Sequence, residues 1–294
     1  MTLHAIVLWN EPNNRSHWDF EADPEWAIFA RLCRQAAGAI RAEAPHLPIV
    51  LGGIAPLDPA FVDLLMARHG LEHVLDAVGI HGYPFDWHRW SIDEWPTMVA
   101  ALRARTSRPL WATQVGISSF GAEEVQVIGL QKTLQILPPL VEKIFWYSLF
   151  DLPFHSTTTS RHKETEGSAY YRQFYFGLLT ATGRPKLAVA HFPPELGLCQ
   201  WFTLHDYARV DATVSWLRRL GARAIHTGLS WADSHVDGAW AFYDYLLRAL
   251  EPFEVTATLC FTPPSRGLRP HHTSPPQDTA EFASFCAQVV RRYR

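Results

Sequence analysis

The chain alternates between short apolar runs and amphipathic stretches of helical period. Residues 5–8, Ala-Ile-Val-Leu, are apolar throughout and β-branched at Ile6 and Val7, as in a strand buried on both faces. The run breaks at once into Trp9-Asn10-Glu11-Pro12, whose proline cannot extend a ladder. Comparable runs recur over 49–53, 76–80, 109–113, 143–147, 198–202, 223–227 and 254–260. Between them the spacing predicts helices over 24–43, 59–68, 91–105, 123–137, 207–220, 238–249 and 279–293, and a short one near Leu187. Asp23-Pro24 and Asp58-Pro59 each set an N-cap before a proline at the first helical position, and Asp278 is a third N-cap. Gly221 suits a helix C′ position.

Strands that alternate with helices of 10–15 residues form βα units on a parallel sheet. Eight of each is the count of a (β/α)8 TIM barrel, and 294 residues suit one barrel of about 250 residues with loops. We therefore expect residues 1–294 to be a single barrel domain, since neither half could bury its apolar strands alone. The polar segment 151–167 is expected to be a long, mobile loop above the sheet.

Composition narrows the classes. A net charge of −3 gives no basic footprint for nucleic acid or an anionic membrane. No apolar run reaches the roughly 18 residues of a membrane span, and Met1 precedes a strand and not a signal peptide, so the expected location is cytoplasmic. The four cysteines, Cys33, Cys199, Cys260 and Cys286, are far apart in apolar or amphipathic runs and read as buried free thiols. The 15 histidines show no metal-ligand spacing, and His271-His272 reads as a polar loop. Twelve tryptophans fill cores, but at strand ends and in loops they also stack on sugar faces.

The C-terminal ends of barrel strands share one rim, where barrel enzymes carry their chemistry. That rule brings together Asn10, Glu11, His81, Tyr83, Gln114, Trp146 and Trp231. Trp9-Asn10-Glu11-Pro12-Asn13 resembles the strand-four signature of the clan of (β/α)8 retaining glycoside hydrolases, closest to the β-xylosidase and α-L-iduronidase family. The resemblance implies Glu11 as general acid/base, Asn10 on the sugar 2-hydroxyl, and a carbohydrate or glycoside substrate with no cofactor or metal. Residues 1–191 resemble strands four to eight. Residues 197–294 resemble strands one to three, with Ser230-Trp231 ending strand two and Thr262-Pro263-Pro264 following strand three. The chain thus reads as a circularly permuted barrel beginning at strand four, a change that alters loops more than core.

Retaining enzymes of this kind use two carboxyl groups about 5–5.5 Å apart. The family places the second in a phrase like Trp-x-Thr-Glu-x-Gly; here the phrase is Trp111-Ala-Thr-Gln114-Val-Gly116. An amide stands at the nucleophile position. Three explanations remain open: an engineered inactive hydrolase, a natural non-catalytic carbohydrate-binding protein, or chemistry re-routed through the substrate, Asp233, Asp151, or Glu164 and Glu166. The resemblance further implies that Tyr83 hydrogen-bonds the nucleophile position and that Trp146 is the platform under the sugar. His81 and Trp231 are expected to line the site, with Trp18, Trp87 and Trp90 at outer subsites. Glu123 and Glu124 begin a helix, where their charge suits the dipole.

Overall fold

The computed structural model describes residues 3–88, 90–154 and 168–294. Eight strands, β1 (Leu3–Leu8), β2 (Ile49–Ile54), β3 (Ala77–Gly82), β4 (Leu110–Val115), β5 (Lys143–Tyr147), β6 (Gly197–Cys199), β7 (Ala224–Ser230) and β8 (Glu254–Cys260), form a closed barrel in chain order. Neighbours are parallel throughout, and β1 closes the ring between β2 and β8, with Ile6 paired to both Ile49 and Ala257. This is the expected TIM barrel. Strand β6 is shorter than the predicted 198–202: after Cys199 the chain leaves the sheet, and Trp201 and Phe202 turn to the rim cavity.

The helices pack outside: α1 (Ala27–Glu43), α2 (Pro59–Asp63), α3 (Trp95–Arg103), α4 (Glu123–Ile136), α5 (Ser168–Arg172), α6 (Tyr207–Leu220), α7 (Ala239–Ala249) and α8 (Thr279–Tyr293). Asp23 caps α1 from further away than predicted. Its carboxylate accepts from Ile28 and Phe29 N–H across a turn in which Trp26 is left-handed, so the helix begins at Ala27. Asp58 caps α2 as expected, but the helix widens to a π-turn over Leu64–Arg68. The short helix near Leu187 is a 3-10 turn, and α5 was not predicted. Residues 155–167 of the expected loop lie outside the described residues, as does Met1.

The period of two decides what each strand offers. Ile6, Leu8, Ile49 and Leu51 face the helices, while Ala5, Val7, Val50, Ala77 and Trp111 form a separate cluster inside the barrel. Small side chains there make room for one indole, over which Lys143 Nζ sits 4.7 Å from the ring centroid. A polar layer lies within the barrel as well. His226 Nδ1 bonds the Thr113 carbonyl at 2.8 Å and Nε2 bonds Thr258 Oγ1 at 2.6 Å, which ties β7 to β4 and β8. Burial pushes that imidazole down to about 3, so it stays neutral.

Helix α8 lies against α1 and ends beside it, with Arg291 on Glu43 Oε1 and the Arg294 guanidinium on the Glu43 carbonyl. Since helices run antiparallel to strands in βα units, this end of α8 and the start of β1 share the face opposite the rim. All four cysteines are buried and free, as expected. Among the described residues no helix is long and apolar enough to cross a membrane.

One glycine fixes a rim residue. A Cβ at Gly53 would stand 1.9 Å from His81 Nε2, so the histidine ring occupies the space a side chain would need. Gly53→Ala should therefore lower stability by about 1–3 kcal/mol, the usual cost of overpacking, with a reduced urea midpoint at unchanged m-value.

Candidate active site

Strand β1 does not simply stop. Trp9 and Glu11 both take positive φ, 69° and 42°, a conformation that non-glycine residues adopt only where the surroundings hold them. The holding contacts are visible: Trp9 N–H donates to Leu259 O, the Trp9 indole donates to His17 O, and Asn14 N–H donates to Glu11 O. The turn brings the Glu11 side chain onto the rim, where it lines a cavity of about 750 Å³ with Asn10, Ser16, His17, Tyr83 and Gln114.

Glu11 is only 4% exposed, so its carboxylate needs donors in place of water. His81 Nδ1 donates to Oε1 at 2.7 Å and Asn14 Nδ2 donates to Oε2 at 2.9 Å. His17 Nδ1 lies 3.6 Å from Oε2 and also meets Ser16 Oγ at 2.8 Å. Burial alone would raise the carboxyl. The His81 hydrogen bond, the positive potential of His17 and His81 and the Asn14 amide outweigh it, and Glu11 is held well below the ordinary carboxylate range.

Gln114 comes from β4, in register with His81 on β3. Its Oε1 accepts a 2.5 Å hydrogen bond from the Tyr83 hydroxyl. Tyr83 is packed on Trp87, Phe176 and Tyr147 at ring separations of 4.6, 5.4 and 5.7 Å, which fixes its hydroxyl. Asn10, Glu11, Tyr83 and Gln114 therefore share one cavity, and His81 stands directly behind Glu11, fully buried.

Two expected members are elsewhere. Trp146 is fully buried in the core that faces the helices, because Phe145 and Tyr147 take the interior side of β5. Tyr147, and not Trp146, lines the cavity. Trp231 is likewise turned outward, its ring 5.7 Å from Phe282 of α8, while its neighbours Ser230 and Ala232 line the cavity. Trp18 is a core residue, edge-on to Trp9 at 4.9 Å, and Trp90 packs against Trp95; of the three outer tryptophans only Trp87 lines the cavity.

The alternative bases also separate. Asp151 is engaged by Lys186 Nζ at 2.6 Å and Gly177 N–H at 2.8 Å, away from the cavity. Asp233 lines the cavity, and Glu164 and Glu166 lie outside the described residues. Sequence reasoning missed His17, Asn14, Tyr147 and Trp201. His17 and Asn14 sit close enough in sequence to Glu11 for the turn to have suggested them. Among the described residues no group of histidines, cysteines and carboxylates could hold a metal ion.

No protein-family profile and no curated protein matches the sequence. Several solved structures resemble it loosely. A GH128 (subgroup VI) exo-β-1,3-glucanase from Aureobasidium namibiae is 15% identical over 62% of this chain and 64% of its own length, with a TM-score of 0.40. A β-glucuronidase from Bacteroides uniformis is 13% identical over 77% of this chain and 26% of its own, at 0.43. A putative dihydrodipicolinate synthase family protein from Coccidioides immitis is 11% identical over 87% and 67%, at 0.42. At these TM-scores the likenesses assign no chemistry, which must be read from the residues of the cavity.

Proposed function

We propose that the rim cavity is a glycosidase-type site that binds a glycoside, with Glu11 as acid/base and Gln114 at the nucleophile position. The observation that carries this reading is the Tyr83 hydroxyl donating to Gln114 Oε1 at 2.5 Å in the cavity that Glu11 lines. A donor fixed in that way would orient a carboxylate oxygen for attack and favour its ionised form. The sequence order supports permutation, β1–β5 taking the parts of strands four to eight and β6–β8 those of one to three.

With a glutamate at 114, the chemistry is double displacement. The carboxylate attacks the anomeric carbon while the acid/base protonates the departing oxygen, giving a glycosyl ester and a free alcohol. Glu11 then takes a proton from water, which opens the ester. Gln114 cannot form that ester readily. The missing charge has a second effect: residue 114 does not repel the Glu11 anion, which His81, His17 and Asn14 hold ionised, so it carries no proton for the leaving group. The chain as written should bind glycosides and turn them over very slowly. This same pairing of an ionised Glu11 with a neutral Gln114 favours the second reading, a non-catalytic carbohydrate-binding protein.

Measurements of ionisation, turnover and folding test these statements. In a carbon-13 NMR titration the Glu11 carboxyl should ionise well below the ordinary range, and higher in Gln114→Glu, through like-charge repulsion. The sign for stability follows: a depressed carboxylate stabilises the fold above its unfolded value of about 4.3, and that contribution is lost as pH falls toward the folded value. Glu11→Gln should remove that part of the acid dependence of the urea midpoint.

Gln114→Glu should raise turnover of the best aryl glycoside in a screen of α- and β-glycosides by at least ~10³-fold. Adding Glu11→Gln should abolish most of that gain where the leaving group is poor and less where it needs no proton. No gain from Gln114→Glu would leave the binding-protein reading. Finally, joining the termini and reopening the chain between His191 and Leu196 should give a barrel with one cooperative urea transition, and a chain that fails to fold would overturn the permuted order.

A further inference from the structure

The cavity has two unlike walls. One carries Asn10, Glu11, His17, Tyr83 and Gln114; the other, where the chain follows β6 and β7, carries Trp201, Phe202, Leu204 and Val236. Phe202 and Leu204 are partly exposed and Val236 is 50% exposed, with Phe242 of α7 buried behind them. The polar side chains of this wall include Ser230, whose Oγ accepts from Asp233 N–H, Asp233 itself, and Tyr243, whose hydroxyl donates to the Ser230 carbonyl.

The wall is built into the sheet. A Cβ at Gly228 of β7 would lie 2.0 Å from the Trp201 ring, so the absent side chain is what seats the indole against the strand. Trp201 in turn lies 6.5 Å from Phe261, which stacks on His17 at 6.0 Å. An apolar surface therefore runs from the far wall to the residue beside the Glu11 carboxylate. A second sugar placed there would bring hydroxyls against Phe202, Leu204 and Val236, which offer no partners, and desolvating them costs free energy. A hydrocarbon group loses nothing and gains by leaving water. The volume, about 750 Å³, lies within the roughly 300–1,000 Å³ of pockets that enclose drug-sized ligands.

We propose that this wall is an aglycone subsite and that the ligand is a glycoside of an apolar alcohol, alkyl or aryl, and not an oligosaccharide. The inference rests on the glycosidase-type reading of the cavity.

Calorimetric titration of the chain as written tests it with two probe sets. The first is methyl, butyl and hexyl glycosides of xylose and glucose in both anomers; the second is butan-1-ol and hexan-1-ol. Along the bound glycoside series the Kd should fall about threefold to fourfold per methylene. Leu204→Asp and Val236→Asp sit at exposed or partly exposed positions and should keep the melting temperature. They should flatten the dependence on chain length. If methyl glycosides bind and hexyl glycosides bind no tighter, the subsite is overturned and the glycoside reading stands. A chain-length dependence that survives both variants also overturns the subsite, because the alkyl group then binds elsewhere. If the alkanols bind with a dependence that the variants abolish and no glycoside binds, the glycoside reading fails and the wall is an apolar site without a sugar. If neither set binds, both proposals fall.

Discussion

The site depends on how a carboxylate is kept out of water. Glu11 is nearly buried, and the donors around its oxygens come from two parts of the fold: Asn14 and His17 from the turn after β1, and His81 from β3. The turn that supplies two of them needs positive φ at Trp9 and Glu11, and the third needs the empty space at Gly53. Barrel register, backbone conformation and one missing side chain thus converge on a single charge. A buried anion with fewer partners would have to take up a proton or move toward solvent.

Neutrality at residue 114 gives that charge its character. A carboxylate at 114 would raise the pKa of Glu11 by like-charge repulsion; the amide exerts none. Tyr83 meets the Gln114 carbonyl oxygen as it would meet a carboxylate oxygen. The amide changes charge and nucleophilicity while leaving shape almost untouched.

The barrel was legible in the sequence because its strands are continuous apolar runs separated by helices of steady length, and eight of them leave little choice of architecture. The rim was legible for the same reason, since Asn10, Glu11, Tyr83 and Gln114 sit where strands end. Parity was not legible. In Lys143-Ile-Phe-Trp-Tyr147 four successive aromatic or aliphatic residues hide which side faces inward, and a shift of one residue exchanges Trp146 for Tyr147. Trp231 also failed on parity: it shares the outward side of Leu229, and Ser230 takes the cavity side. Strand β6 was overextended because Trp201 and Phe202 are apolar for the cavity's sake, and apolar residues that serve a pocket look like residues that serve a sheet.

Pairing Ile6 with both Ile49 and Ala257 has a consequence for how the molecule comes into being. The strand that carries the charged turn is complete on one side early in the chain and on the other only when β8 arrives. Until then its second edge is open, and Trp9 N–H lacks the Leu259 carbonyl that holds the turn. Contacts of such sequence separation form late and slowly. Strand β1 therefore has both its neighbours only once β8 has paired with it, and the cavity exists only after the ring has shut.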